Sequence, residues 1–202
     1  MIKSTPDNQR LTNRIGPSVD TATVHGLTPE PLPAAVLDES FGGLGLAIPF
    51  QCDPKSQLNI AVMIEIDEVK TTALIRHVVP LPSGSRIGIE WKAQAVSRCF
   101  HQLAQLSDKA ASDPLNQILP GGLSFMWKLF ESGKFHHMLQ SADRLRREAV
   151  ACNAPALTAP IERFQSQVGS IVDTHSEADI RDVAQRELNL LIEKCVENSR
   201  RS

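Results

Sequence analysis

Ala34-Ala35-Val36-Leu37-Asp38-Glu39-Ser40-Phe41-Gly42-Gly43-Leu44-Gly45-Leu46-Ala47-Ile48 is two short apolar runs around a polar, glycine-bearing break. The same grammar continues downstream. Leu58 to Ile66, Thr71 to Val79 and Arg86 to Trp91 are β-branched or alternating runs, separated by Asp53-Pro54, Asp67-Glu68 and Pro80-Leu81-Pro82-Ser83-Gly84. Short strands at this spacing, with Gly and Pro in the turns, predict an antiparallel sandwich or barrel. A weaker run around Val19 to His25 adds an earlier strand, followed by the proline-rich loop Gly26 to Pro33.

From residue 93 the period changes to 3.6. Phe135, Met138, Leu139, Ala142, Leu145 and Ala149 form one helical stripe. Leu157, Ile161, Phe164, Val168 and Ile171 form another, with Thr158 as N-cap and Pro160 in the first turn. Ser176 and Asp179 resemble a capping box ahead of Ile180, Ala184, Leu188, Leu191 and Cys195. Two shorter helices are expected around Val96, Phe100, Leu103 and around Leu123, Met126, Trp127, Phe130, punctuated by Pro114 and Pro120-Gly121-Gly122. The predicted class is α+β: a β-domain over residues 1–92, then a helical region over 93–202 that forms a bundle or an oligomerisation surface.

Composition narrows the function. Net charge is −2 with pI near 6.3, which excludes bulk nucleic-acid binding through a basic face. A small phosphate ligand needs only a few well-placed arginines, so it stays open. Cys52, Cys99, Cys152 and Cys195 are far apart with no CxxC pair, so neither a zinc knuckle nor a disulfide framework is expected. The first residues carry no apolar signal core, and no apolar run is long enough for a membrane span. The expectation is a cytoplasmic protein without a membrane span.

Two motifs carry chemistry. Arg10-Leu11-Thr12-Asn13-Arg14 sets two guanidinium groups four residues apart ahead of the first strand. Asp38-Glu39-Ser40-Phe41-Gly42-Gly43 is expected to form the turn between two strands, with the glycines free to take positive φ and to admit a ligand to the backbone. Arginines bind phosphates and the O6/N7 edge of guanine bidentately and stack on bases. A carboxylate and a hydroxyl accept from the guanine N1–H and N2–H₂ donors. Together the motifs are complementary to a guanine nucleotide.

In this order, and ahead of this strand pattern, the residues resemble the PilZ family, whose signature is R-x-x-x-R followed by [D/N]-x-S-x-x-G. Arg10 and Arg14 match the first motif, and Asp38, Ser40 and Gly43 match the second. The resemblance covers residues 8–92 and implies a six-stranded antiparallel β-barrel that binds cyclic di-GMP, with the arginine segment folding over the ligand. It implies that Arg10 and Arg14 grip phosphate and guanine, that Asp38 and Ser40 read the guanine edge, and that Gly43 permits the turn. Gln9 stands where many relatives carry a further arginine, which leaves the number of bound ligands open. The resemblance does not extend to the helical half, so it leaves the output open.

Other signals carry less. His136 and His137 are adjacent and so diverge on a helix, unlike the i, i+4 pair of a zinc helix; surface positions are expected. Arg144, Arg146 and Arg147 read as a solvated face opposite the Phe135 stripe. Glu65, Asp67 and Glu68 end a strand with no polar constellation beside them. With no nucleophile, metalloprotease or Walker motif, no enzymatic activity, cofactor or metal is expected. The leading reading is a cyclic di-GMP effector that signals to a downstream protein. The alternative is a ligand-independent interaction protein, with a degenerate barrel and a helical half that associates with itself.

Overall fold

The computed structural model describes residues 16–93 and 113–200. Arg10, Arg14, Cys99 and the helix expected around Val96 to Leu103 lie outside the described residues. Six strands, β1 (Thr21–His25), β2 (Leu32–Ser40), β3 (Gly43–Ile48), β4 (Ala61–Ile66), β5 (Val69–Leu81) and β6 (Gly84–Trp91), close into an antiparallel barrel in the order β1-β2-β3-β6-β5-β4. Closure comes from β1 pairing with β4, Val24 opposite Ile64, which leaves no free sheet edge. Alternation fills the interior: Val24, Val36, Leu46, Ile64, Ile75 and Ile87 are buried while their neighbours along each strand turn outward. Most strands run a few residues past their apolar stretches, because ladder bonds continue into the two-residue turns Asp67-Glu68 and Pro82-Ser83.

Among the described residues four helices follow: α1 (Pro114–Glu131), α2 (Phe135–Ala151), α3 (Pro155–Gly169) and α4 (Glu177–Ser199). Asp113 caps α1 by accepting from Leu115 N–H at 3.0 Å, and Pro114 occupies the first turn. Pro120-Gly121-Gly122, expected as a break, lies inside α1. Tertiary burial overrides the poor local propensity, since the glycines are where the helix meets the barrel. A Cβ on Gly121 would come within 1.9 Å of the Trp91 carbonyl oxygen, and one on Gly122 within 2.3 Å of the Phe41 ring. Beside them Phe125 stacks on Trp91, with ring centroids 4.4 Å apart.

The α1–α2 and α2–α3 corners are both Schellman closures. Gly133 N–H bonds Phe130 O and Lys134 N–H bonds Leu129 O; Asn153 and Ala154 repeat the pattern with Val150 and Ala149. Gly133 and Asn153 take φ of 69° and 53°, the left-handed conformation this closure needs. The second long helix starts earlier than its apolar stripe: Ala154 is the N-cap, Pro155 supplies the first turn, and Thr158 lies inside. Ser176 does cap α4, accepting from Asp179 N–H at 3.3 Å.

The three stripes are buried among themselves through Met138, Ala142, Leu145, Leu157, Phe164, Leu188 and Leu191. Barrel interior and helical stripes belong to one contiguous apolar core. No helix among the described residues is long and apolar enough to cross a membrane.

Candidate functional site

A bulge decides which side chains the motif presents. Between Val36 and Asp38 the β2–β3 register shifts by a residue, with Val36 opposite Leu46 and Asp38 opposite Gly45. Before the bulge, Ala34 and Val36 point inward and Ala35 outward. One inserted residue inverts this parity. Asp38 therefore turns to the outer face, half-buried, and Glu39 turns to the buried side at 1% exposure.

The structure thus relocates the motif. Asp38, Glu39 and Ser40 are strand residues, and the turn itself is only Phe41-Gly42. Neither Gly42 nor Gly43 adopts positive φ. Glycine is required at position 43 for another reason: a Cβ there would sit 1.9 Å from the Ile89 carbonyl oxygen of β6. Its closest neighbours are the strand beside it.

On the outer face Arg86 of β6 reaches across β3 to Asp38, donating from Nη2 to Oδ2 at 2.8 Å. The diagonal is open because the two residues opposite one another between them, Gly45 and Gly88, have no side chains. Ala35 and Ala47 continue the same face beyond. The result is a carboxylate–guanidinium pair beside Gly45 and Gly88, both of them buried. The Ser40 hydroxyl is 4% exposed and donates to Gly43 O at 3.1 Å, which leaves its oxygen lone pairs as acceptors.

Behind this face lies a buried polar junction that the sequence reading missed. The Glu39 carboxylate accepts from Ser18 N–H at 2.9 Å, from Val19 N–H at 3.3 Å and from the Ser18 hydroxyl. It also pairs with Arg144 of α2, whose Nη2 donates to Ser18 Oγ at 2.8 Å. Arg144 is 8% exposed, so its place on a solvated face is corrected; Arg146 and Arg147, both paired with Asp143, are the solvent-facing members. Ser141, Arg144 and Glu148 form a second buried stripe on α2 at i, i+3, i+7. It is polar, so a search for apolar periodicity passes over it. Burial pulls the Arg144 guanidinium below its ordinary pKa, opposed by the Glu39 charge. Its Nε is buried with no hydrogen-bond partner among the described residues.

Past Ala35 and Ala47 the outer face opens into a groove of about 710 Å³ edged by Leu81, Glu65, Asp67 and Glu68. Each of those carboxylates has a basic neighbour: His25 and Lys70 at Glu65, His137 at Asp67 and Lys134 at Glu68. His137 lies 3.5 Å from Asp67 and His136 3.3 Å from Asp173.

The structure gathers Asp38, Ser40 and Gly43 on one hairpin, and Arg10 and Arg14 fall outside the described residues. Arg86 joins the hairpin residues, and only the paired register of β3 and β6 could have revealed it. No protein-family model, curated protein or solved structure matches the chain.

Proposed function

We propose that this chain is a PilZ-type effector, a binding protein rather than an enzyme. It takes cyclic di-GMP on the outer face of the β2–β3 hairpin, with Arg10 and Arg14 supplied by the preceding segment. The observation that carries this reading is the anchoring of Ser18. Its N–H is bonded to Glu39, the residue between Asp38 and Ser40, so the chain enters the barrel at the strand that carries the motif, behind its outer face. Arg14 and Ser18 are four residue steps apart, and an extended chain spans at most about 3.6 Å per step. Covalent geometry alone therefore keeps the Arg14 Cα within roughly 14 Å of the Ser18 Cα.

In this reading guanine binds at the hairpin, its N1–H and N2–H₂ donating to Asp38 and Ser40. Arg86 holds the Asp38 carboxylate in place. The arginines of the preceding segment neutralise the phosphates through charge-assisted bonds.

Titrating Asp38→Ala against cyclic di-GMP and cyclic di-AMP tests base readout. A selective loss for the guanine ligand is expected, since adenine offers no matching donors to a carboxylate at that position. Equal loss for both ligands would remove Asp38 from base recognition.

The runner-up reading, a ligand-free barrel serving protein contacts, draws on one observation: Ser40 is buried and its hydroxyl already bonds within its own hairpin. It predicts that wild-type protein shows no saturable binding of either dinucleotide.

A further inference from the structure

The outer barrel face at Asp38 is shaped from both ends of one cross-strand row. β2 carries a bulge just before Asp38, and β5 carries a second between Ile75 and His77. The strand registers bring both to the same row, Asp38–Gly45–Gly88–His77. Bulges re-aim side chains and are frequent beside functional sites. Arg86 stands one outward position along β6 from Gly88 and reaches diagonally across β3, donating from Nη2 to Asp38 Oδ2 at 2.8 Å. The pair is uneven: the Asp38 side chain is 15% exposed and the Arg86 side chain 40%. A guanidinium holds several N–H donors in a planar fork, and among the described residues Arg86 uses one of them, on Asp38. It is able to donate again without releasing its partner. An acceptor and a donor thus stand side by side, with the donor the more open of the two.

Guanine carries the complementary order. Its N1–H donor, assigned to Asp38, is next to the O6 acceptor, and adenine presents an amino donor where guanine has O6. We infer that Arg86 is a second specificity-determining residue of the proposed site: while bonded to Asp38 it donates a further N–H to guanine O6. This rests on the proposed ligand and adds to it a contact that reads the base directly, beyond holding the Asp38 carboxylate. A guanidinium facing O6 makes a charge-assisted bond. Facing the amino group of adenine, it sets donor against donor, so the same residue attracts one base and rejects the other.

The test is calorimetric titration of the full chain with cyclic di-GMP and with cyclic di-AMP, on wild type, Arg86→Ala, Asp38→Ala and the double variant. An ion pair this exposed contributes little to stability, so the variants are expected to melt as wild type does. If Arg86→Ala does not, Arg86→Lys takes its place, because a point charge lacks the planar fork that bonds two partners at once. Arg86→Ala is expected to weaken cyclic di-GMP at least about tenfold and cyclic di-AMP less, narrowing the ratio between them. The double variant separates reading the base from supporting Asp38. With Arg86 at O6, removing it in the Asp38→Ala background still lowers affinity for cyclic di-GMP, and by more than for cyclic di-AMP. A double variant that binds as Asp38→Ala does would make Arg86 a support only, and overturns the inference alone. Equal losses for the two ligands overturn it as well, by assigning Arg86 to the phosphates. A wild-type protein that binds neither ligand overturns the proposed ligand, and this role with it.

Discussion

Gly121→Ala should destabilise the protein although every local rule says the reverse. Alanine is favoured over glycine in a helix interior by about 1 kcal/mol, and Gly121 lies well inside α1. Against this, its Cβ would stand 1.9 Å from the Trp91 carbonyl oxygen and 2.8 Å from the carbonyl carbon, where ordinary contact begins at 3.4 Å. Both obstructing atoms are backbone at the end of β6, so no rotamer change relieves them. The helix must withdraw by about 1.5 Å, and gaps of even 0.5–1 Å forfeit a quarter to a half of each dispersion contact. The contacts at stake are the Phe125–Trp91 stack and the seat of Phe41 under Gly122. Overpacking of this type costs about 1–3 kcal/mol or more. With a blocked backbone the upper end applies, leaving a net loss of about 2 kcal/mol after the helix gain. For a chain of this size that is a fall in Tm of roughly 4–8 °C. Thermal denaturation followed by circular dichroism measures it, with Gly169→Ala as control, because nothing lies within 4 Å of that glycine's Cβ position. A Gly121→Ala protein that melts at or above the wild-type temperature would refute the docking of α1 on the barrel.

Glu187 of α4 is held below its ordinary carboxylate value by hydrogen bonds from Arg163 at 2.8 and 3.2 Å, with Arg186 adding at 3.2 Å. Its folded value is depressed, so its contribution is complete above the ordinary value of 4.5 and is lost as pH falls below it. Urea unfolding from pH 7 to 3 should show a steeper acid loss in wild type than in Glu187→Gln. Glu68 takes φ of 71° in the β4–β5 turn beside Asp67 at 48°, a pairing that favours glycine at the second position. Glu68→Gly should raise stability by about 1 kcal/mol by relieving that strain, read as an upward shift of the urea midpoint; its contact with Lys134, at 4.0 Å and largely exposed, offsets little.

The barrel was legible because its signal is local: period-two alternation and Gly or Pro turns report each strand without knowledge of its partners. The long helical stripes were legible for the same reason. What escaped depends on partners. Pro120-Gly121-Gly122 reads as a break until Trp91 and Phe41 are placed against it, when the absence of side chains becomes the condition for contact. Asp38 to Ser40 read as a turn because polar residues between apolar runs usually are; a bulge instead keeps them in the strand and inverts which of them faces out. Arg144 passed as solvated because hydropathy assigns charge to water, while its carboxylate partner lies 105 positions earlier in the chain. Arg86 was hidden likewise, since it meets Asp38 only across an intervening strand.

The central claim is that the barrel face at Asp38, with Arg10 and Arg14, receives cyclic di-GMP. Calorimetric titration of the full chain with cyclic di-GMP, beside the Arg10→Ala/Arg14→Ala double variant, tests it most directly. Charge-assisted contacts to phosphate contribute about 1.5–3 kcal/mol each. The account predicts saturable binding by wild type and an affinity at least tenfold lower for the double variant, with the fold unchanged. A wild-type protein that gives no saturable heat, or a double variant that binds as tightly as wild type, would contradict it.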